Sequence, residues 1–567
     1  MLKLFKWVCL FLFLAEGARA QMPHQVLLLV NKNSQPSKLV ANTFAALRGI
    51  PEKNIVYLDI PEQAYSGSAT ISPEEFTRLI WEPANQIEKE RKIDDRILAW
   101  VYSVDFPIRV KTDSSDRKQV SVGGLTFLRN QLPGLEMIEK GTYFSKLFAG
   151  PNNRLKLFLP STSLDVRKKG LGKETPKGAE YLKLGLGNRM PLPSMMLGYI
   201  GEKGTDVDTV LKVLDRGVKS DAIRQRRTIY FIESDDVRST CRAWQYAPAV
   251  KELAKFGMRG LVTTNFPVGA REVMGIMMGA EKVDPSQVGS FALGAMAENL
   301  TSWGAEFQKP QTKITRWLEA GATATAGTVV EPYSIADKFP SARYFVHSVS
   351  GCTILESFYQ SIACPLQNLL LGDPLAKPYA IPVSARLLGS EKINRDFTYL
   401  MEVNTPIPKP VFMYAFFLDG ELVQDWSLNA SLFTRIQHLS DGYHEIRGVA
   451  YLKGLIHYSV FSVKGFTVNR LGRSISILPK ISSLGLHEHG ISVKALGTEL
   501  PEKIQLFCGK QLLDEKPYAD DMVLLLDELQ IGEGPNRIHV VAVYNDGMEV
   551  SSKPLNFSIH FKTPEKE

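Results

Sequence analysis

The feature that most constrains this chain is a change of hydrophobic period at Pro378. Before it, short apolar runs alternate with stretches whose apolar residues recur at helical spacing. After it the helical spacing vanishes, and alternating strands with tight turns take over. That order predicts an α/β body followed by β-sandwich material.

Within the first part, residues 26–30 (VLLLV) form a continuous apolar run, as expected of a strand covered on both faces. A helix is predicted over 37–48, with Leu39, Val40, Phe44 and Leu47 on one face. Gly49 is placed to cap it and Pro51 to stop it. Residues 54–58 read as the next strand. Ser72-Pro73-Glu74-Glu75 is a capping box opening a helix toward Arg91. Residues 96–102, 228–232, 260–264, 273–277 and 368–371 read as further strands. The expected body is a mostly parallel sheet with flanking helices, spanning 22–380, with a polar, irregular insertion at 111–190.

The second part carries a strong hairpin signal at Asp419-Gly420 and further turns at Asp441-Gly442 and Asp546-Gly547. It also repeats itself weakly. Gly442-x-x-x-Ile446-x-x-Val449-Ala450 matches Gly534-x-x-x-Ile538-x-x-Val541-Ala542, with Gly420 and Gly509 at similar offsets upstream. A period of about 90 residues with several short strands is the size of an immunoglobulin-like sandwich. Two are expected in tandem, over 381–473 and 474–563, meeting near Arg473.

The first twenty residues read as a secretory signal. Lys3 and Lys6 form the positive region, residues 7–15 the apolar stretch, and Ala18-Arg19-Ala20 a small-x-small cleavage site. An exported mature chain, periplasmic or extracellular, is therefore expected to begin near Gln21. The formal charge of +7 falls to about +5 without the signal. That excess is spread along the chain, with no basic stripe or aromatic ladder for nucleic acid. No later segment reaches transmembrane length. Cys241, Cys352, Cys364 and Cys508 remain, too few for a disulfide-built scaffold. Buried free thiols are the default, with room for one pair.

Several short motifs carry a resemblance. They are Val30-Asn31-Lys32-Asn33-Ser34, Arg48-Gly49-Ile50-Pro51, Ser234-Asp235-Asp236-Val237-Arg238-Ser239 and Asn299-Leu300-Thr301-Ser302-Trp303-Gly304. Gly321-Ala322-Thr323 and Gly327-Thr328-Val329-Val330-Glu331-Pro332 complete the set. Over roughly 25–380 the chain resembles a group of exported bacterial proteins of undetermined function. More distantly it resembles the gingipain-like cysteine peptidases, whose core is caspase-like. Leu371-Gly372-Asp373-Pro374-Leu375 matches their domain ending, and an Ig-like domain follows in both. The resemblance implies a caspase-like α/β fold. Such peptidases need His-Gly after one strand and Cys after the next, the thiolate attacking and the histidine protonating the leaving amine. Here residues 278–282 hold no histidine, and 290–294, read as the next such stretch, hold no cysteine. Between 25 and 380 the sole histidine is His347, five residues from Cys352. The usual dyad is therefore not expected.

Other constellations stay open. Asp235, Asp236 and Arg238 follow a strand, where loops line the ligand crevice of parallel sheets. They suit a polar ligand, or Mg²⁺ or Ca²⁺ through oxygens, or simply a helix N-cap. Thr301, Ser302 and Glu331 offer a hydroxyl nucleophile with a carboxylate base, or close packing with capped turns. His487-Glu488-His489-Gly490 sets two imidazoles on one face of a strand without a third ligand, and a surface turn is the plainer reading. The small-residue run ending at Glu331 lacks phosphate-loop spacing and reads as a close-packed sheet edge; no cofactor is expected. Two function readings follow. One is a non-peptidase binding or envelope-associated protein whose partner is an envelope or extracellular polymer or protein. The other is a hydrolase with a carboxylate/hydroxyl site in the α/β cleft.

Overall fold

A computed structural model describes residues 23–561, apart from 133, 151–158, 169–185, 187–188 and 484–487. The expected signal segment lies outside the described residues. Strand β1 (Val26–Asn31) is buried along its whole length. Leu27 and Leu29 enter one core, while Val26, Leu28 and Val30 enter another. Successive strand side chains point to opposite faces, so a sheet covered on both sides takes an uninterrupted apolar run. Helix α1 (Gln35–Arg48) covers the second core with Val40, Ala41 and Phe44. It begins two residues before the predicted start because Ser34 is its N-cap, the hydroxyl accepting from Ser37 N at 3.0 Å. Gly49 closes it at φ 67°.

Among the described residues nine more strands join the sheet. They are β2 (Ile55–Leu58), β3 (Ala99–Tyr102), β4 (Ser194–Met196), β5 (Thr228–Ile232), β6 (Arg259–Thr263), β7 (Val273–Gly279), β8 (Phe291–Leu300), β9 (Ala324–Thr328) and β10 (Asn368–Gly372). The order is β2-β1-β3-β4-β10-β9-β8-β7-β5-β6. Every neighbouring pair is parallel except β9 with β10. The helices named below are α2 (Val207–Ser220), α3 (Val237–Thr240), α4 (Tyr246–Lys255), α5 (Thr315–Glu319), α6 (Arg343–Val349) and α7 (Ile354–Ser361). The capping box at Ser72 forms as read, and its helix reaches Glu90 through a widened turn at Thr77–Trp81. Within 111–190 the described residues include Leu125, Phe127, Tyr143 and Phe144, all buried in the main core.

Two strands depart from expectation. The small-residue run is not a sheet edge: β9 lies inside the sheet between β8 and β10, with all five residues buried. A Cβ on Gly327 would meet Ile314 Cγ2 at 2.5 Å and the Gly304 carbonyl carbon at 3.2 Å. Small residues stand there because the crossing chain comes this close. Residues 291–294 are the start of β8, not a stretch beyond a strand. The true exit of β8 is Thr301-Ser302-Trp303-Gly304. Ala- and Gly-rich β8 has low strand propensity, which hid it.

Beyond residue 380 every sheet is built from mainly antiparallel pairs, giving β-sandwich material with hydrophobic clusters of its own. The internal repeat is structural. In the first half β11 (Phe412–Leu418) turns at Asp419-Gly420 into β12 (Glu421–Ser427), and β11 also pairs with β13 (Gly442–Leu452). In the second half β14 (Lys503–Cys508) turns into β15 (Gln511–Pro517) and pairs with β16 (Gly534–Val543). Gly442 and Gly534 open equivalent strands at φ 102° and 88°. Arg473 sits between the halves, donating to Asp546 at 2.7 Å and pairing with Glu499, while Asp441 accepts from the backbone N of Arg470, Leu471 and Arg473.

Both halves lie on the α/β body. The two hairpin turns contact one short segment: a Cβ on Gly420 would meet Lys53 Cδ at 3.0 Å, and one on Gly509 would meet Glu52 Cβ at 3.7 Å. Asn42 of α1 donates to Ile531 O at 3.1 Å and to Glu533 O at 2.9 Å. Tyr451 and His24 share a buried hydrogen bond of 2.9 Å, and His457 pairs with Asp165. Cys241, Cys352, Cys364 and Cys508 are joined in no disulfide. Among the described residues no helix is long and apolar enough to cross a membrane.

Candidate functional site

Because β5, β7, β8 and β9 are parallel neighbours, their C-terminal ends share one rim. Most of the candidate residues read from the sequence leave the sheet there. At the exit of β5, Asp236 caps α3: its carboxylate accepts from Arg238 N at 2.9 Å, and the Arg238 guanidinium pairs with it at 3.1 Å. Asp235 beside it is exposed. The Arg238 main chain crosses the end of β7, where a Cβ on Gly279 would meet the Arg238 carbonyl at 2.2 Å.

The next two exits are joined by Asn299, the first residue of the Asn299–Gly304 motif. Asn299 Oδ1 accepts from Ala280 N at 2.9 Å, and its Nδ2 donates to Ala280 O at 3.0 Å. This clamp binds β7 to β8. Thr301 follows, 2% exposed, its hydroxyl donating to Gln311 Oε1. Ser302 lies half-buried in the turn. The Trp303 indole N–H donates to Asp116 Oδ2 at 3.3 Å, and Glu331 N donates to the same oxygen at 2.9 Å. Asp116 thus links the exits of β8 and β9. It belongs to the segment read as an insertion, and nothing in its sequence neighbourhood marks it. The Glu331 carboxylate accepts from Tyr333 N at 2.9 Å.

Beneath this rim is a buried polar layer. Arg109 pairs with Glu306 at 2.5 Å, and Glu306 is 2% exposed. Lys313 donates to the carbonyls of Trp303, Glu306 and Pro310 at 2.6, 2.8 and 3.0 Å. Burial lowers its pKa to about 8. Trp303, Gln311 and Tyr333 all hold left-handed backbone without being glycine, at φ 55°, 79° and 59°. Each such residue costs about 1 kcal/mol or more, and they cluster at sites where the surroundings over-determine the chain.

The rim brings Thr301, Ser302 and Glu331 onto adjacent strand exits, but it engages their polar groups separately. The Thr301 hydroxyl is turned to Gln311 and the Glu331 carboxylate to its own turn. A hydroxyl nucleophile needs its base within hydrogen-bond reach. His347 and Cys352 belong to the buried α6–α7 layer. His347 lies inside α6, and its Nδ1 is 2.8 Å from Ser161 Oγ. The Cys352 thiol points at Thr162 O at 3.8 Å and accepts from Gln360 Nε2 at 3.4 Å. In the second β half, His489 stands on the strand Glu488–Leu496 and pairs with Glu528 at 2.5 Å. His487 lies outside the described residues.

No protein-family model matches this chain, and no curated protein matches it. Among solved structures, one described as the structure of a protease aligns with 80% of this chain and 99% of its own, at 11% identity and a TM-score of 0.39. Fibronectin(III)-like modules of Clostridium thermocellum CbhA align with 31% of this chain and 90% of theirs, at 14% identity and a TM-score of 0.13. The Bacteroides ovatus mixed-linkage glucan utilization locus protein SGBP-B, in complex with a mixed-linkage heptasaccharide, aligns with 30% of this chain and 43% of its own, at 16% identity and a TM-score of 0.18. Scores this low carry no argument about fold or function.

Proposed function

We propose that this chain is an exported, envelope-associated binding protein on a gingipain-like scaffold, and that it does not cleave peptides by thiol chemistry. On this reading the α/β body is caspase-like, the β halves are Ig-like, and the rim at the exits of β5, β7, β8 and β9 presents the binding surface. The observation that supports it is what stands at the exits of β7 and β8. They carry Ala280-Glu281 and Thr301-Ser302, and the first threonine is buried and bonded to Gln311. Neither exit offers an imidazole or a thiol. Asp235, Asp236 and Arg238 contribute a polar lip to that surface.

The test is direct. The mature chain is incubated with a mixed peptide library, with and without a thiol-alkylating reagent. No cleavage is expected in either case. Cleavage abolished by the reagent and by Cys352→Ala would overturn the proposal. Fractionation of the native cells checks the location, and recovery of the chain with the cytosol would remove the envelope role.

A further inference from the structure

Beside the rim lies an open groove of about 550 Å³, a volume suited to a small ligand. One wall is the loop 283–286, the other the segment 309–320. Both walls are held before any ligand arrives. The Thr312 hydroxyl donates to Val283 O and accepts from Val283 N, both at 2.9 Å. Lys313 pins three carbonyls of its own loop, and Thr315 Oγ1 donates to Lys203 O at 2.9 Å, fixing the chain that brings Lys203 to the opening. Gln311, left-handed and tied to Thr301, forms the side toward the rim.

The charges are unequal. Lys203, Lys309, Lys313 and Arg316 line the groove against two carboxylates, Asp284 and Glu319. Both carboxylates are engaged: Asp284 accepts from Ser286 N at 3.0 Å, and Glu319 pairs with Arg316 at 2.6 Å. Among the described residues neither Lys203 nor Lys309 forms an ion pair, and the Lys309 ammonium lies 5.9 Å from the centre of the Trp303 ring. An open groove lined by four cationic side chains against two carboxylates stabilises negative charge.

We infer that this groove binds a small ligand bearing an oxyanion, phosphate or carboxylate, with Lys203 and Lys309 as its contact cations. The inference rests on the binding reading above and names the class of its ligand. Lys313 and Thr312 hold the walls.

The mature chain is titrated by calorimetry at low ionic strength with inorganic pyrophosphate and, separately, with citrate. Glucose serves as the neutral control. Saturable binding to at least one anion is expected, weakening as salt is raised. Binding to pyrophosphate alone assigns a phosphate ligand, and binding to citrate alone a carboxylate. The double variant Lys203→Ser/Lys309→Ser should bind roughly tenfold or more weakly with an unchanged melting temperature, since both side chains are at the surface. No saturable binding to either anion, or equal binding by the double variant, overturns the inference. Peptide cleavage would remove the non-peptidase reading even if anion binding stood, so the two failures are separable.

Discussion

At the scale of single residues, the molecule stores its charges where they are costly. Lys377 is 3% exposed and lines a small cavity between the α/β body and the first β half, beside Glu356 and His457. Among the described residues its ammonium forms no ion pair. Burial is the main cause that lowers its pKa to about 7, against the pull of Asp221, Glu356 and Asp165 and with Arg48 adding to the lowering. In the unfolded chain the same amine titrates near its ordinary value of 10.5. Between those values the unfolded state binds more protons, so stability falls as pH drops from the upper value toward the lower and is flat in this respect below it. The slope is at most about 1.4 kcal/mol per pH unit. Lys377→Met should flatten the rise in stability between pH 7 and pH 10, and denaturant unfolding at several pH values checks it. An unchanged slope in the variant would exclude Lys377 as its source.

At the scale of elements, legibility followed composition. The run at β1 was read correctly because burial on both faces leaves an unbroken apolar string. The capping box at Ser72 was read because its two bonds are local in sequence. β8 and β9 were misplaced because their Ala and Gly residues lack the β-branched and aromatic signature of strands, and their residence inside the sheet reflects how closely neighbours approach. Gly327 carries that constraint. Its α-carbon faces Ile314 and Gly304 with no room for a side chain. Gly327→Val should cost about 3 kcal/mol through overpacking, read as a drop in the denaturation midpoint. A loss below about 0.5 kcal/mol would show that the crossing loop yields freely. The rim was half legible. Thr301, Ser302 and Glu331 were singled out from their motifs, without the strand whose exit holds Thr301 and Ser302, whereas Asp116 and Gln311, which organise them, could be identified only from contacts made by the fold.

At the scale of the whole molecule, the β halves are seated on the α/β body. Asp165 and His457 are 292 positions apart and pair in a buried junction. Close by, the Tyr458 hydroxyl donates to Ser350 O at 2.8 Å. A buried pair that loses one partner strands the other charge, at a cost of about 3–5 kcal/mol. We expect the double variant His457→Ala/Tyr458→Phe to undock the β part while each core stays folded. Limited proteolysis should then cut the variant near residues 379–384, where the native chain resists. Equal resistance of the two proteins would show that the other bridges, among them Asn42 to Glu533 O, Tyr451 to His24, Arg447 to Gly49 O and Arg537 to Glu52, hold the junction without this pair.

The sequence by itself determined the local features: the change of period at Pro378, the strands with unbroken apolar runs, the caps, the hairpin turns and the tandem repeat. These depend on neighbours within a few residues, or on a side-chain period that must match burial. The tertiary structure alone decided strand order, the central place of β9, the Asn299 and Asp116 links across the rim, the charge imbalance of the groove and the docking of the β halves. Each of those depends on pairs of residues brought together by the whole fold, and no local pattern encodes a partner hundreds of positions away.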